Sequence, residues 1–347
     1  MESSRELKIG RATADGVDHE VQGKTMRAVV QDRYGAPEDV LELREVDRPT
    51  PGHGDVLVRV HATPVSGTDW HILRGLPYVA RFVTGIRKPK NHIPGYDLAG
   101  TVETVGRDVT SFQPGDEVFG WSGGSYAEYA SVPQEQLALK PTNLELEEAA
   151  AVPIGSFTAL QGVRDRGEVR PGQKVLITGA SGGVGTYAVQ IAKWCGAEVT
   201  GVCSTSKMDL VRSLGADHVI DYTKEGLSAR DQRYDVLIDL YGNPSLAECR
   251  GALKPGGTLV LIGGTGGKWF MGVDRWIRGM ALAPFLGLKV RPLIHKDRRD
   301  DLMTIKELIE TGKVTPVIDK TYPLAKVSEA IRYVTDGHGR GQVVVIV

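Results

Sequence analysis

The run Lys174 to Val199, KVLITGASGGVGTYAVQIAKWCGAEV, constrains this fold more than any other stretch, because it reads as strand, glycine-rich turn, helix and second strand in one unit. Val175, Leu176 and Ile177 form the short apolar run that a parallel strand needs when both its faces are covered. Ala180, Gly182 and Gly185 then occupy the three positions of a G-x-G-x-x-G fingerprint, with Ala in the first. On this reading the first small residue permits the tight turn, Gly182 lets backbone amides approach a pyrophosphate, and Gly185 lets the helix pack closely on the strand. Unpartnered amides at the helix start and the positive end of its dipole complete an anion cradle. Ser181, Gly183 and Val184, lying between the small residues, are expected to contact the same ligand.

Beyond the turn, Val184, Ala188, Val189, Ile191, Ala192 and Cys195 recur at helical spacing, and Gly196 stops the helix. Glu198 to Cys203 reads as the next strand. A helix from Lys207 to Leu214, strands at His218 to Ile220 and Asp235 to Leu240, a helix from Ser245 to Leu253 and a strand at Thr258 to Ile262 follow. Such alternation predicts an α/β fold with a doubly wound parallel sheet. Ile262 and Gly263, at the end of the last of these strands, join the expected cofactor contacts.

The choice of nicotinamide cofactor turns on the end of the second strand. An acidic side chain there, about 20 residues past the fingerprint, would bind the ribose hydroxyls and repel a 2′-phosphate. This chain reads Cys203, Ser204, Thr205, Ser206, Lys207 instead. Ser204 and Thr205 offer hydroxyls and Lys207 offers a cation to an extra phosphate, and Tyr222, past the third strand, adds a phenol. NADPH is therefore expected over NADH.

The 347 residues, 41% of them apolar, allow two or three domains with ordinary cores. Lys and Arg total 42 against 43 Asp and Glu, so no basic excess argues for nucleic acid or an anionic membrane. Cys195, Cys203 and Cys249 form no C-x-x-C pair, which fits a reducing compartment, the cytoplasm, and small buried hydrophobes. No apolar stretch has transmembrane length; Met280 to Leu288 is too short and carries Pro284 and Gly287. Residues 1–25 are polar and without periodicity, and are read as a disordered extension or tag ahead of the strand pattern that opens at Met26.

From Met26 to about Val152, short strands alternate with Gly and Pro punctuation, at Val56 to Val60, Ala99 to Val105, Glu117 to Phe119 and Tyr126 to Val132. This predicts a mostly β, barrel-like unit. Asp300 to Glu310 and Lys326 to Val334 read as helices and Val343 to Val347 as a closing strand.

Several stretches together carry a family resemblance: VSGTDWHILRG from Val65, IPGYDLAGTV from Ile93, PGDEVF from Pro114, GSYAEYASV from Gly124, AAAVPIGSFTAL from Ala149, the cofactor loop, GKVTPVIDKTYPL from Gly312, and Gly337 to Val347. The chain from Met26 onward resembles the medium-chain dehydrogenase/reductase superfamily and, within it, the zinc-free quinone oxidoreductase-like branch. The resemblance implies a GroES-like catalytic domain, residues 26–151 and 296–347, around an inserted Rossmann NADP-binding domain, residues 152–295. The reaction cleft would lie between them. It also implies that Thr158 supports the nicotinamide ring, and that the strand Leu288 to Arg291 pairs across a homodimer.

One departure concerns metal. The zinc alcohol dehydrogenases of the superfamily have a Cys before the Gly-Ser/Thr-Asp run and, further on, a Gly-His-Glu motif. This chain has Ser66 and Tyr96 there, poor zinc ligands beside thiolate and imidazole, and it lacks the four-cysteine structural loop. No catalytic metal is expected, and His71 and His92 are read as structural or solvent histidines. Without a Lewis acid, conjugated acceptors are the tractable ones, because charge arriving with a hydride spreads onto their own oxygen. The expected activity is NADPH-dependent reduction of quinones or α,β-unsaturated carbonyls.

Ser66 and Tyr78 are the candidate catalytic donors. Ser66 falls where related quinone reductases place an Asn near the nicotinamide, and reads equally as the cap of a helix beginning near Asp69. Tyr78 lies near where similar enoyl thioester reductases place a tyrosine, and reads also as a rim aromatic. Asp69 is expected to brace the helix. Gly264 to Arg291, with Trp269, Phe270, Trp276 and Phe285 among Lys268, Arg275 and Arg278, is either a lid over a bulky acceptor or an extra amphipathic helix packed on the catalytic domain. Two other functions compete. One is an enoyl thioester reductase using the basic cluster Arg81, Arg87, Lys88 and Lys90; the other is a non-catalytic NADPH-binding structural or regulatory protein.

Overall fold

The apolar runs of the sequence become strands of two large sheets and a two-stranded ribbon in the computed structural model, which describes residues 25–227, 232–241, 244–262, 273–337 and 339–347. Residues 1–24, Gly263, Lys268, Trp269 and Phe270 lie outside the described residues, and so do the expectations placed on them. β1 (Thr25–Gln31) pairs antiparallel with β2 (Leu41–Asp47). The first large sheet draws on β3 (Asp55–Val65), β4 (Asp97–Val105), β5 (Glu117–Trp121), β6 (Tyr129–Pro133) and β7 (Leu137–Leu139). β3 is its spine, pairing with both β4 and β6. Its residues alternate between buried and exposed where one face meets solvent, then become buried throughout toward Val65.

The second sheet is built from β8 (Lys174–Thr178), β9 (Glu198–Cys203), β10 (His218–Asp221), β11 (Tyr234–Asp239), β12 (Leu253–Leu261) and β13 (Lys289–Pro292). The order β10-β9-β8-β11-β12-β13 is parallel throughout, the doubly wound arrangement expected from the sequence. Its centre, including Leu176, Ile177, Leu237 and Ile238, is fully buried. The chain then returns to the first sheet through β14 (Ile318–Pro323) and β15 (Gln342–Ile346), and β15 lies antiparallel to β3. Two remote stretches of the chain thus share one sheet.

Five helices matter for the site: α1 (Gly67–Leu73), α2 (Pro153–Leu160), α3 (Gly183–Trp194), α4 (Val273–Leu286) and α5 (Arg299–Glu310). The helix in the aromatic segment corrects an expectation. α4 packs on the nucleotide sheet, not on the catalytic domain: a side chain starting at Gly279 would come within 3.2 Å of Val290 and 3.5 Å of Leu261. Arg275 anchors it, paired with the buried Asp239 at the end of β11 and donating to Pro244 O at 2.7 Å. β2 and β14 escaped the sequence reading because their exposed faces carry charge (LELREVD and IDKTYP), which erases the apolar period of two.

Candidate active site

At the end of β8 the chain turns at Gly179, whose φ of +65° no side chain favours. The turn therefore rests on Gly179, where the sequence reading had placed it on Ala180. Ala180 is instead fully buried, its N–H held by Val202 O at 3.1 Å. The other two small residues behave as the fingerprint requires. A side chain beginning at Gly185 would sit 2.1 Å from Gly179 O, so the helix cannot approach the strand with anything larger. At Gly182 the nearest atom would be Gly179 O at 3.4 Å, leaving open space before the start of α3. That combination, closed behind and open in front, fits a pyrophosphate on the helix amides. Gly183 and Val184 form the first turn of α3, and Ser181 O accepts from Gly341 N at 2.9 Å.

The cradle sits at the switch point of the sheet, between β8 and β11. There Thr178 Oγ1 donates to Asp239 Oδ1 at 2.7 Å and accepts from the Leu240 and Tyr241 amides. Past the end of β9 opens a polar recess of about 510 Å³ lined by Ser204, Ser206, Lys207, Asp319, Tyr333 and Arg340. Lys207 Nζ donates to Gly337 O and Gly339 O at 2.9 and 2.8 Å, which fixes its charge at the wall. Tyr333 Oη and the Arg340 amide both donate to Asp319 Oδ2, while the Arg340 guanidinium has no partner among the described residues. Two cations against one carboxylate suit a dianionic phosphate.

Of the residues expected to meet a 2′-phosphate, Ser204 and Lys207 line the recess. Thr205 and Tyr222 do not. The Thr205 hydroxyl donates to Asp221, and Tyr222 is exposed. Tyr333 and Arg340 were missed because they lie more than a hundred residues downstream; the only signal was the glycine-flanked run Gly337 to Gly341, which says nothing of its partner. Ile262 packs over Gly162, and Thr158 is buried with its hydroxyl bonded to Ile154 O at 2.8 Å.

The side facing β3 and β4 is built differently. Ser66 precedes α1, and both its amide and its hydroxyl donate to Asp69 Oδ2, at 2.7 and 2.8 Å. The hydroxyl thus closes a capping interaction, and Asp69 braces the helix as expected. Burial pushes the Asp69 carboxyl up, against the pull of the Ser66 bonds. Tyr78 opens a short turn at the rim, beside Phe82 and Ile86 in an apolar recess, with the Arg81 guanidinium 4.7 Å from its ring centre. That is the placement of a rim aromatic. Arg81 also donates to Gly75 O and Arg74 O. His71 Nδ1 is buried without a partner among the described residues, and the ring is held below its usual pKa by burial. His92 is exposed beside Asp32.

A cluster absent from the sequence reading joins the two halves of the molecule. Tyr96 Oη donates to Asp297 Oδ2 at 2.6 Å, and His295 Nε2 lies 3.4 Å from Asp297 Oδ1. Burial raises the Asp297 carboxyl, but the His295 and Tyr96 contacts outweigh it and hold the group below the usual range. The neighbouring Asp97 is buried; its Oδ2 accepts from Ile154 N at 2.8 Å and its Oδ1 has no partner among the described residues. Burial drives Asp97 well above the usual carboxylate range, with the nearby Asp297 and Asp69 adding to the rise and the Ile154 bond opposing it. Among the described residues no group of three or more His, Cys, Asp or Glu is placed to hold a metal ion.

Comparison with known proteins agrees with this architecture. Residues 52–142 match the alcohol dehydrogenase GroES-like domain and residues 214–345 the zinc-binding dehydrogenase family. The chain is 34% identical to the chloroplastic quinone-oxidoreductase QR1 of Triphysaria versicolor, covering 93% of this chain and 99% of that protein. It is also 34% identical to a chloroplastic NADPH-dependent alkenal/one oxidoreductase of Arabidopsis thaliana, over 93% of this chain and 80% of the relative. The quinone oxidoreductase of Coxiella burnetii superposes with a TM-score of 0.83 at 28% identity, over 93% of this chain and all of the other.

Proposed function

This chain belongs to the quinone oxidoreductase-like branch of the medium-chain dehydrogenase/reductase superfamily, and from that premise we propose that it reduces quinones or α,β-unsaturated carbonyl compounds with NADPH and without zinc. The observation that carries the cofactor assignment is the recess past β9, where Lys207 and Arg340 flank two serine hydroxyls within reach of an adenosine 2′-phosphate. Bound there, NADPH supplies the hydride. The Gly182 cradle would hold its pyrophosphate, and α2 would lie alongside the ring through Thr158.

The acceptor class follows from what the other wall lacks. An isolated carbonyl develops a full alkoxide on reduction and needs a strong electrophile beside it. Here the two positions at which metal-dependent relatives have ligands carry hydroxyls, Ser66 and Tyr96, each bonded to a carboxylate. A quinone or enone instead carries the incoming charge through its own π system, so the residues need only align it and exclude water. The names of relatives that act on quinones and alkenals support the same class. The reading extends to a homodimer formed through the outer edge of β13 and to a reducing, cytoplasmic setting, supported by three free cysteines, two of them buried.

The deciding experiment is a spectrophotometric panel of NADPH and NADH against quinones, enones, enals and enoyl-CoA, before and after exhaustive chelation. NADPH oxidation with the first three acceptors, unchanged by chelation, is expected. Activity that disappears with the removed metal, or a preference for enoyl-CoA, would refute the proposal.

A further inference from the structure

Reduction of an enone requires a proton as well as a hydride, and the polar residues near the junction of the two sheets differ sharply in whether they have one to give. The Ser66 hydroxyl proton points to Asp69 and the Tyr96 phenolic proton to Asp297. Asp97 is enclosed, 1% exposed, with Ile154 against it. His295 stands apart. Its side chain is 27% exposed, one ring nitrogen faces Asp297 Oδ1, and among the described residues its Nδ1 makes no hydrogen bond.

The placement of His295 is over-determined. It follows β13, the last strand of the nucleotide sheet, while Tyr96 leads into β4 of the other sheet, so the Tyr96–Asp297 bond spans the junction of the two. The backbone beside it is fixed by Gln161, which donates to Lys296 O at 2.6 Å and accepts from Lys296 N at 2.9 Å. Gln161 directly follows α2, three residues on from Thr158. An imidazole at the junction of the two sheets, with one nitrogen 3.4 Å from a carboxylate and the other without a hydrogen bond among the described residues, has the arrangement of a positioned acid.

We infer that His295 is the catalytic acid that protonates the α-carbon of a reduced enone, with Asp297 and Tyr96 as positioning residues; the inference rests on the function proposed above. Addition of hydride to the β-carbon moves the C=C electron pair into an enolate. The N–H bond of protonated His295 breaks as the new Cα–H bond forms, the enolate collapses to the saturated ketone, and the neutral imidazole regains a proton from water. A quinone differs, because its reduced form is protonated on oxygen, which water does without help.

The test compares the two acceptor classes in D₂O. With an α-substituted enone, the native enzyme should place deuterium on one face of the α-carbon. His295→Gln should lose that facial selectivity and slow enone turnover by about 10²-fold, with quinone turnover and NADPH affinity within a factor of about three. Asp297→Asn and Tyr96→Phe should shift the enone-to-quinone ratio in the same direction by less. Retained selectivity with an unchanged ratio in His295→Gln would overturn the assignment, as would a parallel loss of quinone turnover, which would make His295 merely structural. A native enzyme that reduces neither class would remove the functional reading itself and this inference with it.

Discussion

The two sides of the proposed site, the cofactor wall and the acceptor wall, hold their polar groups by opposite means. The cofactor wall is made of backbone: Gly179 turns, Gly182 opens, Gly185 closes, and two cations stand over a recess with donors left to offer. The acceptor wall is made of side chains that satisfy one another, Ser66 with Asp69 and Tyr96 with Asp297. The first suits a ligand with many fixed charges. The second keeps most of its donors for itself, which suits an acceptor that carries its own charge. On the reading proposed above, one side would supply affinity and the other shape and a proton.

The sharpest way to break this contrast is at the glycines. Gly185→Ala should cost about 1–3 kcal/mol of stability through overpacking and abolish measurable NADPH binding, since a methyl there meets backbone at 2.1 Å. Gly182→Ala should melt within about 2 °C of the native protein yet bind cofactor at least about tenfold more weakly, because the methyl enters open space where the proposed pyrophosphate would lie. Calorimetry and fluorescence titration read both. Equal effects on folding would mean that the cradle is not open in front.

The recess gives the next effect in size. Lys207→Ala and Arg340→Ala should each weaken NADPH by about 1.5–3 kcal/mol, as for hydrogen bonds to a charged group, while leaving NADH unchanged in the same titration. Loss of affinity for both cofactors would place these cations elsewhere than at the 2′-phosphate.

Asp97 sharpens the other wall. A carboxyl raised by burial binds its proton more tightly in the folded protein, so it withdraws stability as pH climbs from its unfolded value through the folded one. Asp97→Asn can still accept from Ile154 N. It should therefore melt higher than the native protein at pH 7 and show a flatter dependence of Tm on pH between about 4 and 7. An unchanged slope would show that Asp97 is solvated. The smallest expected effect is at Ser66: Ser66→Ala should lower stability by about 1 kcal/mol through loss of the cap and change kcat by less than about threefold. A large drop in kcat at constant stability would restore Ser66 as a donor.

The contrast also explains what was legible in the sequence. The cradle is local: strand, turn and helix lie within Lys174 to Trp194, so period and glycine spacing announce them. Even there a single φ shifted the turn from Ala180 to Gly179, a detail that spacing alone does not carry. Lys207 was legible for the same reason, but Arg340 and Tyr333 were not, since they reach the recess from near the end of the chain. The acceptor wall was nearly silent, because the partner of Tyr96 lies 201 residues away and no pattern in IPGYD points to HKD. The hydroxyls of Ser66 and Thr205 could be recognised as donors, but which acceptor each had found depended on packing.

The stretch Gly337 to Ile346 has one more consequence. It supplies β15, which lies against β3, Arg340 in the recess past β9, and the Gly341 amide that donates to Ser181 O in the fingerprint turn. Assembly of the first sheet and, on the proposed reading, dinucleotide retention therefore depend on the same ten or so amino acids. A protease nick there would disable both at once, and a saturating dinucleotide should shield that tail from cleavage although it touches only part of it.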